Sequence, residues 1–316
     1  MFKNLTKITI IYMPLLALLL LPIFPVPVYI LHIFFIILMY IALSTSFNIM
    51  AGYTGYVPFG HAAFFGLGAY TTAVMAFQFG VSIFLALPLA GIISMLFAAL
   101  IGYPTLRLRG VYFAIATLVF NFIVEFMIYN IPWTRGARGI TLPLLPFSMR
   151  TNKIIFYYSM LTIAVATVYV AYKILNSKFG LALISIREDE DAAEALGVNT
   201  ARYKFYAFLI SAFLAGIPGG LYAGYMSYIN PETVFTLYIA LNLILMAILG
   251  GMGTLIGPII GPIILVTISE YLRYTISSAW YITILGIILI LIMRYLPEGI
   301  CSILVKKAPY IGKYIG

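Results

Sequence analysis

The chain has 316 residues, of which 64% are hydrophobic and only 9% charged, with a mean hydropathy of +1.09. Soluble domains carry about 25% charged residues, so a soluble globular protein is excluded. At ~20 apolar residues per span there is room for about ten membrane helices and almost no extramembranous domain. A net charge of +9 on such a chain reports orientation, not nucleic-acid binding. The single cysteine, Cys301, excludes a disulfide framework and a cysteine-based metal site.

Apolar runs fall near 8–24, 29–50, 61–79, 83–102, 111–130, 154–174, 205–227, 234–250, 256–276 and 280–296. Lys3 and Lys7 precede the first run, no small-residue cleavage site follows, and Pro22, Pro25 and Pro27 come next. This reads as a retained span and not a removed signal peptide. With the N-terminus inside, thirteen of the eighteen basic residues fall on the inner side, which predicts both termini cytoplasmic. The loop 130–153 breaks the trend with Arg135, Arg138, Arg150 and Lys153 and no acids. As the only sizeable outer surface, it is the natural dock for an external partner.

Ser44 and Asn48 form a mild polar stripe on the second run, which ends in Gly52 and Gly55, with Pro58, Gly60 and His61 following. A second glycine-rich stretch runs from Gly250 through Gly253 to Gly257, Pro258 and Gly261. Such paired interruptions allow non-helical backbone along a transport pathway; equally, they allow close helix packing and tight turns. His61 has no His or Cys near it in sequence, so no metal site is expected.

On the fifth run Thr117, Asn121 and Glu125 recur at i, i+4 and i+8 and share one face. An acid within a span is a functional-site hypothesis by default, or else a helix-to-helix hydrogen bond. Asn242 is a lone amide on the eighth run. On the ninth, Glu270 and Arg273 stand at i, i+3 and can neutralise each other.

The densest charge lies between the sixth and seventh runs, where Arg187–Glu194 holds six charges in eight residues. Asp189, Glu190 and Asp191 suit the positive end of a short helix. Ala192, Ala193 and Leu196 follow as a smooth apolar face, Gly197 suits a left-handed cap, and Asn199 or Thr200 can cap the next helix. A short capped helix of this kind is suited to a groove on another protein; the plain alternative is a solvated loop.

No G-x-x-x-x-G-K-[ST] occurs anywhere, so the chain itself is not expected to hydrolyse ATP. No Ser–His–Asp or zinc motif is visible, and no catalytic, cofactor-binding or metal-binding residues are assigned. The acidic run at Glu188–Asp191 would suit a diphosphate-binding prenyltransferase only with a second acidic cluster, and none is found.

DAAEALG resembles the Glu-Ala-Ala-x-x-x-Gly element by which ABC-importer membrane subunits dock on their ATPases, with Asp191 where Glu is usual. The Ile-x-Leu-Pro that often follows that element is not recognisable. SKFGLALISIREDEDAAEALGVNTARYK is similar to branched-chain amino-acid ABC permeases of the Liv type. So, in order and spacing, are SFNIMAGYTGYVPFGHAAFFGLGAYTTA, LRLRGVYFAIATLVFNFIVE, LISAFLAGIPGGLYAGY, LMAILGGMGTLIGPIIG and LILIMRYLPEGI. Tyr56-Val-Pro stands where Gln-Leu-Ser is commoner, and Arg135 and Arg138 interrupt an expected Thr-Gly-Gly-rich segment.

The resemblance implies an all-α, single-domain permease of type II-like topology in the cytoplasmic membrane, with a coupling loop at 176–203. Its partners would be a second related permease, two cytoplasmic ATPases carrying ATP and Mg, an external substrate-binding protein and membrane lipid, with no nucleic acid. Arg187, Glu188, Asp189, Asp191, Ala192, Ala193, Leu196 and Gly197 would couple to the ATPases. Asn48, Gly52, Gly55, Gly60, His61, Thr117, Asn121, Glu125, Asn242, Gly250 and Gly253 would line the path. Branched-chain amino acids are the expected cargo. Alternatives are urea or short amides within the same family, or an ion-coupled secondary transporter.

Overall fold

The computed structural model describes residues 18–24 and 26–275, with 280, 286, 287, 290, 294 and 299–301 beyond them. The expected runs at 8–24 and 280–296 lie largely outside the described residues. The helices are α1 (Val28–Thr54), α2 (His61–Phe79), α3 (Ile83–Thr105), α4 (Val111–Asn130), α5 (Met149–Leu175), α6 (Lys178–Glu188), α7 (Glu190–Ala195), α8 (Thr200–Met226), α9 (Pro231–Val234), α10 (Leu237–Gly250) and α11 (Gly257–Thr275). Seven segments among the described residues are long and apolar enough to cross a membrane: α1 to α5, α8, and the broken helix α9–α10. Of the ten spans read from the sequence, seven are found among the described residues, and the run at 256–276 is α11, a further nineteen-residue helix beside them.

α1 is apolar all round and buried from Ile37 to Thr54, as expected for a helix at the centre of a bundle. α5, α8 and α11 pack around it, and α2 and α3 both run along α8. Lipid offers no hydrophobic drive for helices to associate, so small residues must bring backbones together. At Gly68 of α2 a Cβ would run into the backbone of Gly216 on α8. The outward face of α4 exposes Tyr112, Ile115, Val119, Phe122, Ile123 and Phe126, an apolar surface that only a bilayer or a membrane partner accommodates.

The two ends of the bundle differ. At one, here the hairpin end, β1 (Ile140–Thr141) pairs antiparallel with β2 (Tyr228–Ile229), and Leu142 N–H extends the ladder to Ser227 O at 2.8 Å. This ties the 131–148 connection to the end of α8. At the other, the charged end, lie α6 and α7, the α1–α2 connection and the turn between α10 and α11.

Candidate functional site

α6 begins where Ser177 accepts from Gly180 N–H, and it buries Gly180, Ala182, Leu183 and Ile186 against the bundle. The chain breaks at Asp189, which is extended (φ −159°), and its carboxylate accepts from Ala192 N–H at 2.9 Å to cap α7. α7 closes in a Schellman motif: Val198 N–H bonds to Ala193 O at 3.0 Å and Gly197 N–H to Glu194 O at 2.9 Å. Gly197 adopts φ +89° there, and Asn199 caps α8 by accepting from Arg202 N–H at 3.1 Å. The short helix and both caps thus form where the sequence places them.

Its faces are distributed differently. Ala193 is only 2% exposed and packs into its own chain, so Ala192, Ala193 and Leu196 do not make one outward apolar face. Ala192 is exposed, and Leu196 projects with 85% of its surface open. Arg187, Glu188, Asp189, Asp191 and Gly197 are also exposed.

α7 is held to the bundle by charge. Glu190 Oε1 receives Lys204 Nζ of α8 at 2.5 Å, and Glu190 Oε2 accepts from Tyr56 OH at 2.5 Å. Lys204, 3% exposed, also donates to Tyr56 OH at 3.0 Å and to Leu106 O at 3.3 Å. Arg109, in the α3–α4 connection, forks onto Asp191 at 2.8 and 3.1 Å. Burial of the Glu190 carboxyl opposes its charge, but the hydrogen bonds from Lys204 and Tyr56 and the charges of Lys204 and Arg109 outweigh it. The pKa of Glu190 is therefore held below the ordinary carboxylate value. The Arg109 hydrogen bonds and charge lower Asp191 likewise. Burial, helped by the adjacent Glu190, pushes the Tyr56 phenol up.

A second junction lies at the end of α6. Arg187 Nη1 donates to Gly52 O at 3.0 Å. The Asn48 amide spans to the α10–α11 turn, donating to Thr254 O at 2.9 Å and accepting from Gly253 N–H at 2.8 Å. A Cβ at Gly52 would meet the Asn48 side chain and Gly253 N, so these contacts require glycine. The two glycine-rich stretches therefore meet, with Arg187 beside them. Gly55 (φ +78°) ends α1 facing Arg187.

Most of the remaining candidate path residues are closed into packing. Gly60 sits against Thr117 O, and Thr117 Oγ1 donates to Ala114 O at 2.9 Å. His61 is fully buried, its Nε2 3.0 Å from Ser46 Oγ. Asn121 donates to Phe235 O at 2.8 Å, while Glu125 is half-buried. Gly250 lies against the backbone of Gly257. Asn242 lines an open cavity, the one between α1, α8, α10 and α11. Sequence reasoning did not assign Lys204, Tyr56 or Arg109. The available signal was a lysine in the first turns of an apolar helix, read there only as an orientation charge.

Together these contacts fix α6 and the short helix α7, with its exposed leucine, to four parts of the bundle: α1 through Arg187 of α6, and the α1–α2 and α3–α4 connections and α8 through α7. Such a unit can carry a displacement at α7 into the membrane helices.

A family model described as branched-chain amino acid transport system, permease component, matches residues 29–293. The high-affinity branched-chain amino acid transport system permease protein LivM of Salmonella typhimurium is 33% identical over 290 residues, covering 83% of this chain and 68% of its own. The LivH permease protein of Escherichia coli K12 is 25% identical over 285 residues, covering 83% of this chain and 90% of its own. A probable LivM permease protein of Methanocaldococcus jannaschii is 27% identical over 231 residues, covering 68% of this chain and 67% of its own. No solved structure matches the chain.

Proposed function

The chain belongs to the permease-component family of branched-chain amino acid transport systems, and from that premise we propose that it works as the membrane subunit of an ATP-driven importer of branched-chain amino acids. In this reading both termini are cytoplasmic, the spans number about ten, and the charged end faces the cytoplasm. A second related permease completes the pathway, as the existence of both LivM and LivH relatives suggests. Two cytoplasmic ATPases bind ATP and Mg, and an external binding protein docks on the 130–153 loop. The loop 176–203 is the coupling element.

The observation that carries this reading is the attachment of α7. An exposed, solvated loop would have no reason to bury Lys204 beneath Glu190 and Tyr56. A helix that receives force from a motor must be braced against the spans it moves, and Leu196, left 85% open, is the side chain that enters the ATPase groove. When the ATPase pair closes, α7 moves as one body with Arg109 and Lys204. Arg187 carries the displacement to Gly52 and, through Asn48, to the α10–α11 turn. Alternating access releases the cargo inward.

The test is uptake of labelled leucine, isoleucine, valine and urea into cells with and without the gene, with ATP and ion gradients controlled separately. The reading requires branched-chain uptake that survives collapse of the ion gradients and stops when ATP is depleted. Uptake that follows the ion gradient instead would make the chain an ion-coupled transporter. Uptake of urea alone would assign the other cargo.

A further inference from the structure

The cavity between α1, α8, α10 and α11 has a volume of about 230 Å³ and lies toward the hairpin end. Ligand pockets for drug-sized molecules run to roughly 300–1,000 Å³, so this one suits something nearer an amino acid. Its wall combines an apolar part with a compact polar one. Ile36, Met39, Met246 and Leu265 supply the first, and Asn242, Ser269, Glu270 and Arg273 the second.

The polar part is asymmetric in a useful way. Glu270 and Arg273 are one helical turn apart and their charged groups are 3.0 Å from each other. Tyr29 OH donates to the second Glu270 oxygen at 3.1 Å. The pair is neutral as a unit, so the cavity favours neither a cation nor an anion. An α-amino acid carries an ammonium and a carboxylate on neighbouring atoms, and it can answer both groups at once. Deeper along the same face of α11, Ser269 Oγ is buried and has no hydrogen-bond partner among the described residues. A hydroxyl left unmatched in a wall costs free energy unless something in the cavity engages it.

We propose that this cavity is a substrate station within the permease itself, holding one zwitterionic α-amino acid with an apolar side chain. The substrate carboxylate accepts from the Arg273 guanidinium and from Ser269 Oγ. The ammonium donates to Glu270, and the side chain lies against Met39, Met246 and Leu265. The inference rests on the importer reading and adds to it a cargo-selecting site apart from the external binding protein.

The experiment measures equilibrium binding of labelled L-leucine to the assembled transporter purified without its external binding protein. Wild type should bind leucine, and L-valine should compete. 4-Methylpentanoate and isopentylamine, each lacking one of the two charges, should compete at least about tenfold more weakly, the factor expected for losing a charged hydrogen bond. Arg273→Gln and Glu270→Gln should weaken leucine binding by a similar factor. Glu270→Arg/Arg273→Glu keeps the ion pair and reverses it. If the pair serves only to hold α11, this double variant restores binding; the proposal requires that binding stay weak. No binding by wild type, equal competition by the singly charged analogues, or rescue by the reversed pair overturns the station. Failure of ATP-driven uptake by the complete wild-type system would overturn the importer reading instead, so the two are separable.

Discussion

Lys204 Nζ and Glu190 Oε1 lie 2.5 Å apart, with the lysine sealed inside α8 and the glutamate on the short helix α7. Removing one partner of a buried pair leaves an uncompensated charge, whereas replacing both is often neutral. Glu190→Gln should therefore destabilise the subunit by about 3 kcal/mol, the low end of the range for buried pairs. The reason is that the Glu190 side chain is 14% exposed, and Tyr56 OH and Leu106 O still accept from Lys204. Glu190→Gln/Lys204→Met should recover most of that loss. Thermal unfolding of the two single variants and the double in detergent measures the coupling, and strict additivity would refute it.

The same pair sets a pH dependence. The folded pKa of Glu190 is depressed, so its stabilisation is present above the ordinary value of 4.5 and is lost as pH falls through the folded pKa. Asp191, depressed from 3.8, acts in the same sense at lower pH. The stability gap between wild type and Glu190→Gln should stay constant from about pH 8 to about pH 5 and shrink only below 4.5. A gap that closes near neutral pH would contradict the assignment.

Two glycines near the junctions should respond differently to substitution. At Gly197 a Cβ meets open space, so only its φ of +89° resists a side chain. Gly197→Val should cost ~1–2 kcal/mol, and Gly197→Asn should be nearly silent, since asparagine tolerates that conformation. At Gly52 the added Cβ would strike Asn48 and Gly253, so Gly52→Ala should cost about 1–3 kcal/mol and loosen the link between α1 and the α10–α11 turn. Melting temperatures of the three variants decide the order.

The local parts of this site were legible in the sequence and the long-range parts were not. Asp189 and Asn199 announce helix ends through capping side chains and Gly197 through its backbone, and all three act where they stand. Which face of α7 turns inward depends on α8, so Ala193 could not be distinguished from Ala192 by spacing. The two glycine stretches were visible, but the Asn48–Gly253 contact joins residues 205 apart. Lys204 looked like one more orientation charge, because its partner Tyr56 lies 148 residues away. Glu270 and Arg273 read as a self-neutralising pair, which they are; the cavity they line comes from helices that only the fold brings together.

Sidedness is testable with introduced cysteines. The native Cys301 is fully buried, so it is a poor reporter of which side it faces. In a Cys301→Ser background, Ala137→Cys at the hairpin end should react with an impermeant thiol reagent in intact cells. Leu196→Cys should react only in inverted vesicles. The reverse pattern would invert the proposed topology.

Leu196 and the braced helix behind it carry the proposed coupling. In the complete transporter reconstituted into vesicles, Leu196→Arg touches no packed residue, so the subunit should fold and insert as wild type does. It should nevertheless lose the ATPase subunits on purification, or retain them with substrate-stimulated ATP hydrolysis abolished. Full ATPase retention together with wild-type hydrolysis and uptake would mean that α7 is a solvated loop and not the coupling helix.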